Sequence, residues 1–214
     1  MLKSNWKQKE KIFCIGRNKT GTTSLEKLLQ GFGYKMGDQA SAEILVNDYA
    51  KGDFNNIIRY CKTADAFQDA PFSWPFTWLI LTQHFPNAKF ILSTREQETW
   101  YHSISSFHTK LFSSTNSTPS LEDLKNASYR YKGFVWEVFQ SVWKTPEDDL
   151  YNKDMMILNY RRHNEDILHF FKNKDNFIHI DVSNEKDYIK LCSFLNKQPK
   201  SSSFPHLNKT DEKV

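Results

Sequence analysis

The stretch from Lys11 to Leu25, Lys-Ile-Phe-Cys-Ile-Gly-Arg-Asn-Lys-Thr-Gly-Thr-Thr-Ser-Leu, constrains the fold more than any other part of the chain. An apolar strand runs into a loop bounded by Gly16 and Gly21, and a helix opens near Thr22. Backbone N–H groups at a helix N-terminus are unpaired, and the helix dipole favours negative charge beside them, so such a loop is suited to phosphate or sulfate. Lys19 adds a charge at that point, and Thr20, Thr22 and Thr23 add hydroxyl donors. Arg17 and Asn18 open the loop and join the candidate anion-binding set.

Periodicity along the rest of the chain alternates strands with helices. Strands are expected over 12–15, 63–68, 89–94 and 177–180. Helices are expected from Thr22, over 42–60 with a break at Gly52, over 76–84, over 97–107, after Ser120, around 134–142, from Thr145-Pro146, over 157–171 and over 188–195. Short, wholly apolar strands between helices predict an α/β three-layer sandwich with a mainly parallel central sheet covered on both faces. Residues 1–214 read as one domain, with 1–10 flexible and the Ser/Thr/Asn-rich loop 112–119 mobile.

Composition narrows the classes of partner. A net charge of +4 with interspersed signs helps attract a polyanion but lacks the clustered Lys/Arg stripe of a nucleic-acid binder. No window approaches the ~20 apolar residues of a spanning helix, and no membrane partner is expected. Cys14, Cys61 and Cys192 are odd in number and widely spaced, which fits a reducing compartment, and the expected location is cytoplasmic.

Open α/β sheets place ligands beyond the carboxyl ends of their strands. That rule singles out Lys19, Asp69, Arg95 and Asp181, one after each expected strand. Arg95 ends the strand Lys89-Phe-Ile-Leu-Ser-Thr94, and Ser103 follows eight residues later. Guanidinium suits a phosphate because its fork donates two parallel bonds and keeps its charge. Asp69, just before Ala70-Pro71, stands where a proton acceptor is needed, or else caps that turn. His102 and His108 are weaker alternatives. His102 is expected to face away from Ser103, its neighbour on the helix.

The first loop is close to a Walker A loop, but its lysine precedes Gly21 instead of following it. It resembles the 5'-phosphosulfate loop of sulfotransferases, Lys-[Ser/Thr]-Gly-Thr-Thr, through Lys19-Thr20-Gly21-Thr22-Thr23. Arg95 and Ser103 resemble that family's strand, Arg, then Ser arrangement for a 3'-phosphate. Cys192-Ser-Phe-Leu195 and Phe204-Pro-His-Leu-Asn-Lys209 are similar to C-terminal segments of one branch of it, which adds Lys209 as a 3'-phosphate ligand. The Arg-Lys-Gly segment of cytosolic phenol and steroid sulfotransferases is not visible.

The resemblance implies a P-loop NTPase-like fold and transfer of a sulfuryl group from 3'-phosphoadenosine 5'-phosphosulfate. The product is adenosine 3',5'-bisphosphate, and the acceptor is a hydroxyl or amine of a small molecule or sugar. Lys19 and Asp69 are the implied catalytic residues, no metal is required, and residues 120–152 form a helical region on the acceptor side. Two other readings stay open from the residues. One is a P-loop kinase using Asp181 on magnesium, and the other is a non-catalytic nucleotide-binding module.

Overall fold

The computed structural model describes residues 10–205. In chain order its elements are β1 (Ile12–Cys14), α1 (Thr22–Gly31), α2 (Gln39–Glu43), α3 (Val46–Ala50), α4 (Asn55–Tyr60), β2 (Ala66–Phe67) and α5 (Thr77–His84). There follow β3 (Lys89–Thr94), α6 (Gln97–Phe112), α7 (Leu121–Asn126), α8 (Phe134–Val138) continued by a π-helical turn over Phe139–Trp143, α9 (Lys153–Phe170), β4 (Phe177–Asp181) and α10 (Glu185–Phe194).

The strands form one four-stranded parallel sheet in the order β2-β1-β3-β4. Alternation along β1 sends its side chains to opposite faces. Ile12 and Cys14 pack with Leu25, Leu28 and Leu29 of α1 and with Tyr188 and Leu191 of α10. Phe13 and Ile15 pack with Ile57 of α4, Trp78 and Leu81 of α5 and Ile167 of α9. Both faces are therefore covered, as near-continuous apolar strands require. A third cluster gathers Trp100 and Ile104 of α6, Leu124 of α7, Phe134 and Val135 of α8 and Tyr160 of α9 beside the sheet.

From β1 the chain crosses to β2 on one side and then to β3 on the other, so the order reverses between β1 and β3. Such a switch point leaves a crevice at the strands' carboxyl ends. Gly16 and Arg95 lie there.

Several expected boundaries move. The 42–60 segment is interrupted at Ile44–Leu45 as well as around Gly52, where φ is +72°. Helix α6 continues past residue 107 to Phe112 and so carries His108 on a regular helix. No helix starts at Thr145-Pro146, where the Thr145 hydroxyl donates to the Leu150 carbonyl (2.7 Å) and closes a turn. The cap lies at Asn152, whose Oδ1 accepts from Met155 N and opens α9. Ser120 caps α7 in a reciprocal capping box with Asp123.

Gly16 shows how closely the switch point is packed. A β-carbon there would collide with the backbone carbonyl, amide and hydroxyl of Ser93 on β3. Gly31, at the end of α1, has open space around its α-carbon. Gly16→Ala is expected to destabilise the protein by about 2 kcal/mol or more. Gly31→Ala should be neutral or stabilise by up to about 1 kcal/mol. Urea unfolding of both variants checks the contrast.

Candidate active site

A cleft of about 1100 Å3 opens over the β1 and β3 ends. Asn18, Lys19, Thr20, Gly21, Thr22, Thr23, Asp69, Arg95 and Ser103 all line it. Arg17 does not, and Lys209 lies outside the described residues.

The first loop turns sharply, with φ of 69° at Lys19 and 92° at Gly21. Gly21 is the N-cap of α1, no side chain caps that terminus, and the first turn holds no acidic residue. The helix end therefore keeps the positive pole of its dipole unneutralised by a side chain. At Gly21 a β-carbon would meet the Val182 side chain on the opposite rim.

Long-range partners hold the loop by its carbonyls. Trp100 Nε1 donates to Asn18 O (3.0 Å), and His163 Nε2 donates to Ile15 O (2.9 Å). The Tyr160 hydroxyl accepts from Arg95 N (3.0 Å) and donates to Arg95 O (2.9 Å). The Trp100 and Tyr160 rings stack at 4.3 Å, joining these grips into one unit. Burial and the nearby Arg17 charge hold His163 well below the usual histidine range, so it serves as a neutral donor.

Lys19 and Arg95 are half-buried, and neither forms an ion pair among the described residues. The Lys19 ammonium lies 4.2 Å from the Phe107 ring centroid, and Arg95 Nη1 donates to Lys19 O (3.2 Å). The carboxylates next to Arg95 are otherwise engaged. Glu96 caps α6 through Glu98 N and Thr99 N, and Glu98 pairs with Lys153 (2.6 Å). Burial, first, and the Arg95 charge lower the Lys19 pKa, while Asp69 raises it.

The threonines divide their work. The Thr20 hydroxyl is spent inside the loop, donating to Arg17 O and bonding Ser93 Oγ (2.7 Å). The Thr22 hydroxyl donates to Asp69 Oδ2 (3.3 Å). Of the three loop threonines, Thr23 alone, exposed, carries no side-chain hydrogen bond among the described residues.

Arg17 turns inward and is 2% exposed. Its Nη1 donates to Ser73 O (3.2 Å), and its guanidinium lies 5.0 Å from the ring of Trp143, a residue that lines the cleft. Burial lowers its pKa to about 10, so it remains charged behind the site.

Asp69 combines both roles considered for it. Its Oδ1 accepts from Ala70 N (2.8 Å), capping the turn, and its carboxyl also lines the cleft at φ 59°. Burial, then the neighbouring Glu43 carboxylate, raise its pKa to about 6. Glu43 is a participant that sequence reasoning missed. It lies in the cleft wall, accepts from Gln39 Nε2 (3.2 Å), and pairs with Arg130 Nε. Gln39 Nε2 also donates to Ala70 O (3.0 Å), linking Glu43 to the Asp69 turn.

His102 lines the cleft as its helix neighbour Ser103 does, so two adjacent directions on α6 both border it. His108 lines it too. Burial and the Lys19 charge push His108 down to about 3, and its Nδ1 bonds the Tyr151 hydroxyl (3.0 Å). Asp181 is on the rim, its Oδ1 accepting from Ser183 N and Oγ. No group of three or more His, Cys, Asp or Glu is placed to hold a metal ion among the described residues. No helix among them is long and apolar enough to cross a membrane.

Two outcomes are expected. Tyr160→Phe takes away the hydroxyl that bonds both Arg95 N and Arg95 O and should lower stability by about 1–3 kcal/mol in urea unfolding. Asp69 binds its proton more tightly folded (about 6) than at its ordinary value of 3.8, so its contribution is most favourable below that value and is lost as pH rises through about 6. Asp69→Asn should therefore raise the Tm at pH 8 and change it little at pH 4.

A family model described as a sulfotransferase domain matches residues 11–213. No curated protein matches the chain. Matched from its first strand to beyond its last helix, and built on a parallel sheet with its loop at the switch point, the chain belongs to the sulfotransferase family.

Proposed function

We propose that this protein moves a sulfuryl group from 3'-phosphoadenosine 5'-phosphosulfate to a hydroxyl or amine of a small-molecule or sugar acceptor. One observation carries the reading. Two cations that form no ion pair among the described residues, Lys19 and Arg95, share a cleft with the uncapped N-terminus of α1. A doubly phosphorylated nucleotide satisfies both cations and the helix end together. The buried Arg17 charge, 5.0 Å from the ring of the cleft residue Trp143, adds to the positive potential there.

The bound donor supplies an activated sulfur whose bond to the 5'-phosphate oxygen breaks as the acceptor oxygen or nitrogen bonds to it. Lys19 and the N–H groups opening α1 stabilise the charge that returns to the 5'-phosphate. Arg95 and Ser103 hold the 3'-phosphate, so the donor is fixed at both ends. Asp69 takes the acceptor's proton. Its pKa of about 6 leaves it ionised at neutral pH yet more basic than an ordinary aspartate. The free, buried thiols of Cys14, Cys61 and Cys192 support a cytoplasmic setting.

Thermal shift tests donor identity. Adenosine 3',5'-bisphosphate should raise the Tm, by about 2.7 kcal/mol of stabilisation at a hundred times Kd, and ATP with magnesium should do so far less. Lys19→Ala and Arg95→Ala should each abolish most of the shift. Stabilisation by ATP with magnesium alone would overturn the reading. Labelled sulfate transfer should fall about 10²- to 10⁴-fold in Asp69→Asn while bisphosphate binding survives. Wild-type activity should rise as pH climbs through about 6.

A further inference from the structure

Gln39 and Glu43 stand one helical turn apart on α2, a spacing that sets their side chains next to each other. Gln39 Nε2 donates to Glu43 Oε1 (3.2 Å) and also to Ala70 O (3.0 Å). Ala70 N in turn donates to Asp69 Oδ1 (2.8 Å), so both backbone polar groups of the residue after Asp69 are engaged. At the far end Glu43 Oε2 accepts from Arg130 Nε, carried on the segment between α7 and α8. Three stretches of chain, distant in sequence, thus join in one line that ends at the Asp69 carboxyl.

Stability alone does not call for this line. Glu43 is 8% exposed, and a buried ion pair is seldom a better filling than well-packed apolar residues. It stands in the wall of the cleft with Asp69, where two like charges oppose each other. Asp69 also holds a left-handed backbone, φ 59°, which persists only where its surroundings fix it. The bond from Gln39 to the following carbonyl supplies one such restraint. Around Asp69 the other groups that carry or feel charge are Lys19 of the first loop, Thr22 of α1, which donates to Oδ2, and Tyr129, which feels Glu43, Arg130 and Asp69 together. Arg95, His102, His108 and Asp181 border the same cleft, and Arg130 also acts on Asp38 at the start of α2.

Resting on the reading of Asp69 as the proton acceptor, we propose that Gln39, Glu43 and Arg130 are its positioning residues: Arg130 holds Glu43, Glu43 orients Gln39, and Gln39 fixes the Ala70 backbone against which the Asp69 carboxyl is set. Geometry and charge are divided among them. Gln39 steadies the turn and brings no charge. Glu43 makes Asp69 a better proton acceptor by repulsion, and Arg130 limits that repulsion by pairing with Glu43. None of the three needs to touch the substrate.

The test reads the proton affinity of Asp69 in the full chain without substrate. Wild type, Glu43→Gln, Arg130→Ala and Arg130→Lys are each compared with the same chain carrying Asp69→Asn, and the difference in Tm is followed from pH 4 to pH 8. Whatever raises the folded-state value of Asp69 further adds to the stability lost as pH rises through it. In Glu43→Gln the gain in Tm from Asp69→Asn at pH 8 should therefore shrink, and its midpoint should fall by about half a pH unit or more. In Arg130→Ala the gain should grow and the midpoint climb by a similar amount, while Arg130→Lys, which keeps the charge, should stay close to wild type. Gln39→Ala should leave the midpoint unmoved but lower labelled sulfate transfer to 2-naphthol about tenfold. Shifts of the same sign in Glu43→Gln and Arg130→Ala, or none in either, would overturn the proposal, and full transfer in Gln39→Ala would overturn the role of Gln39. If Arg130→Ala does not fold, Glu43→Gln decides by itself, since an unmoved midpoint there overturns the proposal. A wild type that shows neither a bisphosphate shift nor sulfate transfer sinks the sulfotransferase reading instead, and the thermal comparison then judges the support of Asp69 separately.

Discussion

The site depends on a loop held by its carbonyl oxygens. Trp100 takes the carbonyl of Asn18, His163 that of Ile15, the Tyr160 hydroxyl that of Arg95 and the Arg95 guanidinium that of Lys19. With those oxygens drawn into the protein, the N–H groups that open α1 are left for the cleft. Three of these grips come from α6 and α9, regular helices packed in the Trp100 cluster and against the sheet, and the fourth from Arg95 directly after β3, so the candidate site rests mainly on rigid elements.

Holding a site this way has an energetic cost. Lys19 and Asp69 both adopt a left-handed backbone that non-glycine residues avoid, and the buried Arg17 keeps its charge while forming no ion pair among the described residues. Asp69 is ionised at neutral pH although burial and Glu43 both oppose it. What offsets these terms is the aromatic packing. Phe13 touches Phe67, Phe72, Phe85 and Phe90, while Phe171 joins Phe90 and Phe177, filling one face of the sheet. A site that stores unfavourable charge and strain against a well-packed core is the usual bargain between stability and function.

How much of this was legible beforehand varied with the range of the interaction. The strand, loop and helix around Lys19 depend on residues a few positions apart, and the helix from Thr22 to Gly31 matches its pattern of leucines. β3 over Lys89–Thr94 was equally plain, because six residues with a buried interior admit few other forms. Thr145-Pro146 imitated a helix start, but the Thr145 hydroxyl found the Leu150 carbonyl instead. His102 lines the cleft together with its helix neighbour Ser103, since the width of the cleft around α6 is not written in the helix period.

By itself the sequence determined the local chemistry: an uncapped helix after a Gly-bounded turn, a lysine before the second glycine, an arginine at a strand end, and apolar strands that demand cover on both faces. Those features follow from short-range conformational preference and periodicity. Tertiary structure alone decided that Arg17 turns inward, that the Thr20 hydroxyl is consumed by Ser93, that Glu43 stands beside Asp69 and that Trp100 and Tyr160 clamp the loop. Each of those is a contact between distant parts of the chain. Burial and charge coupling exist only once the chain has closed, and no local pattern records them.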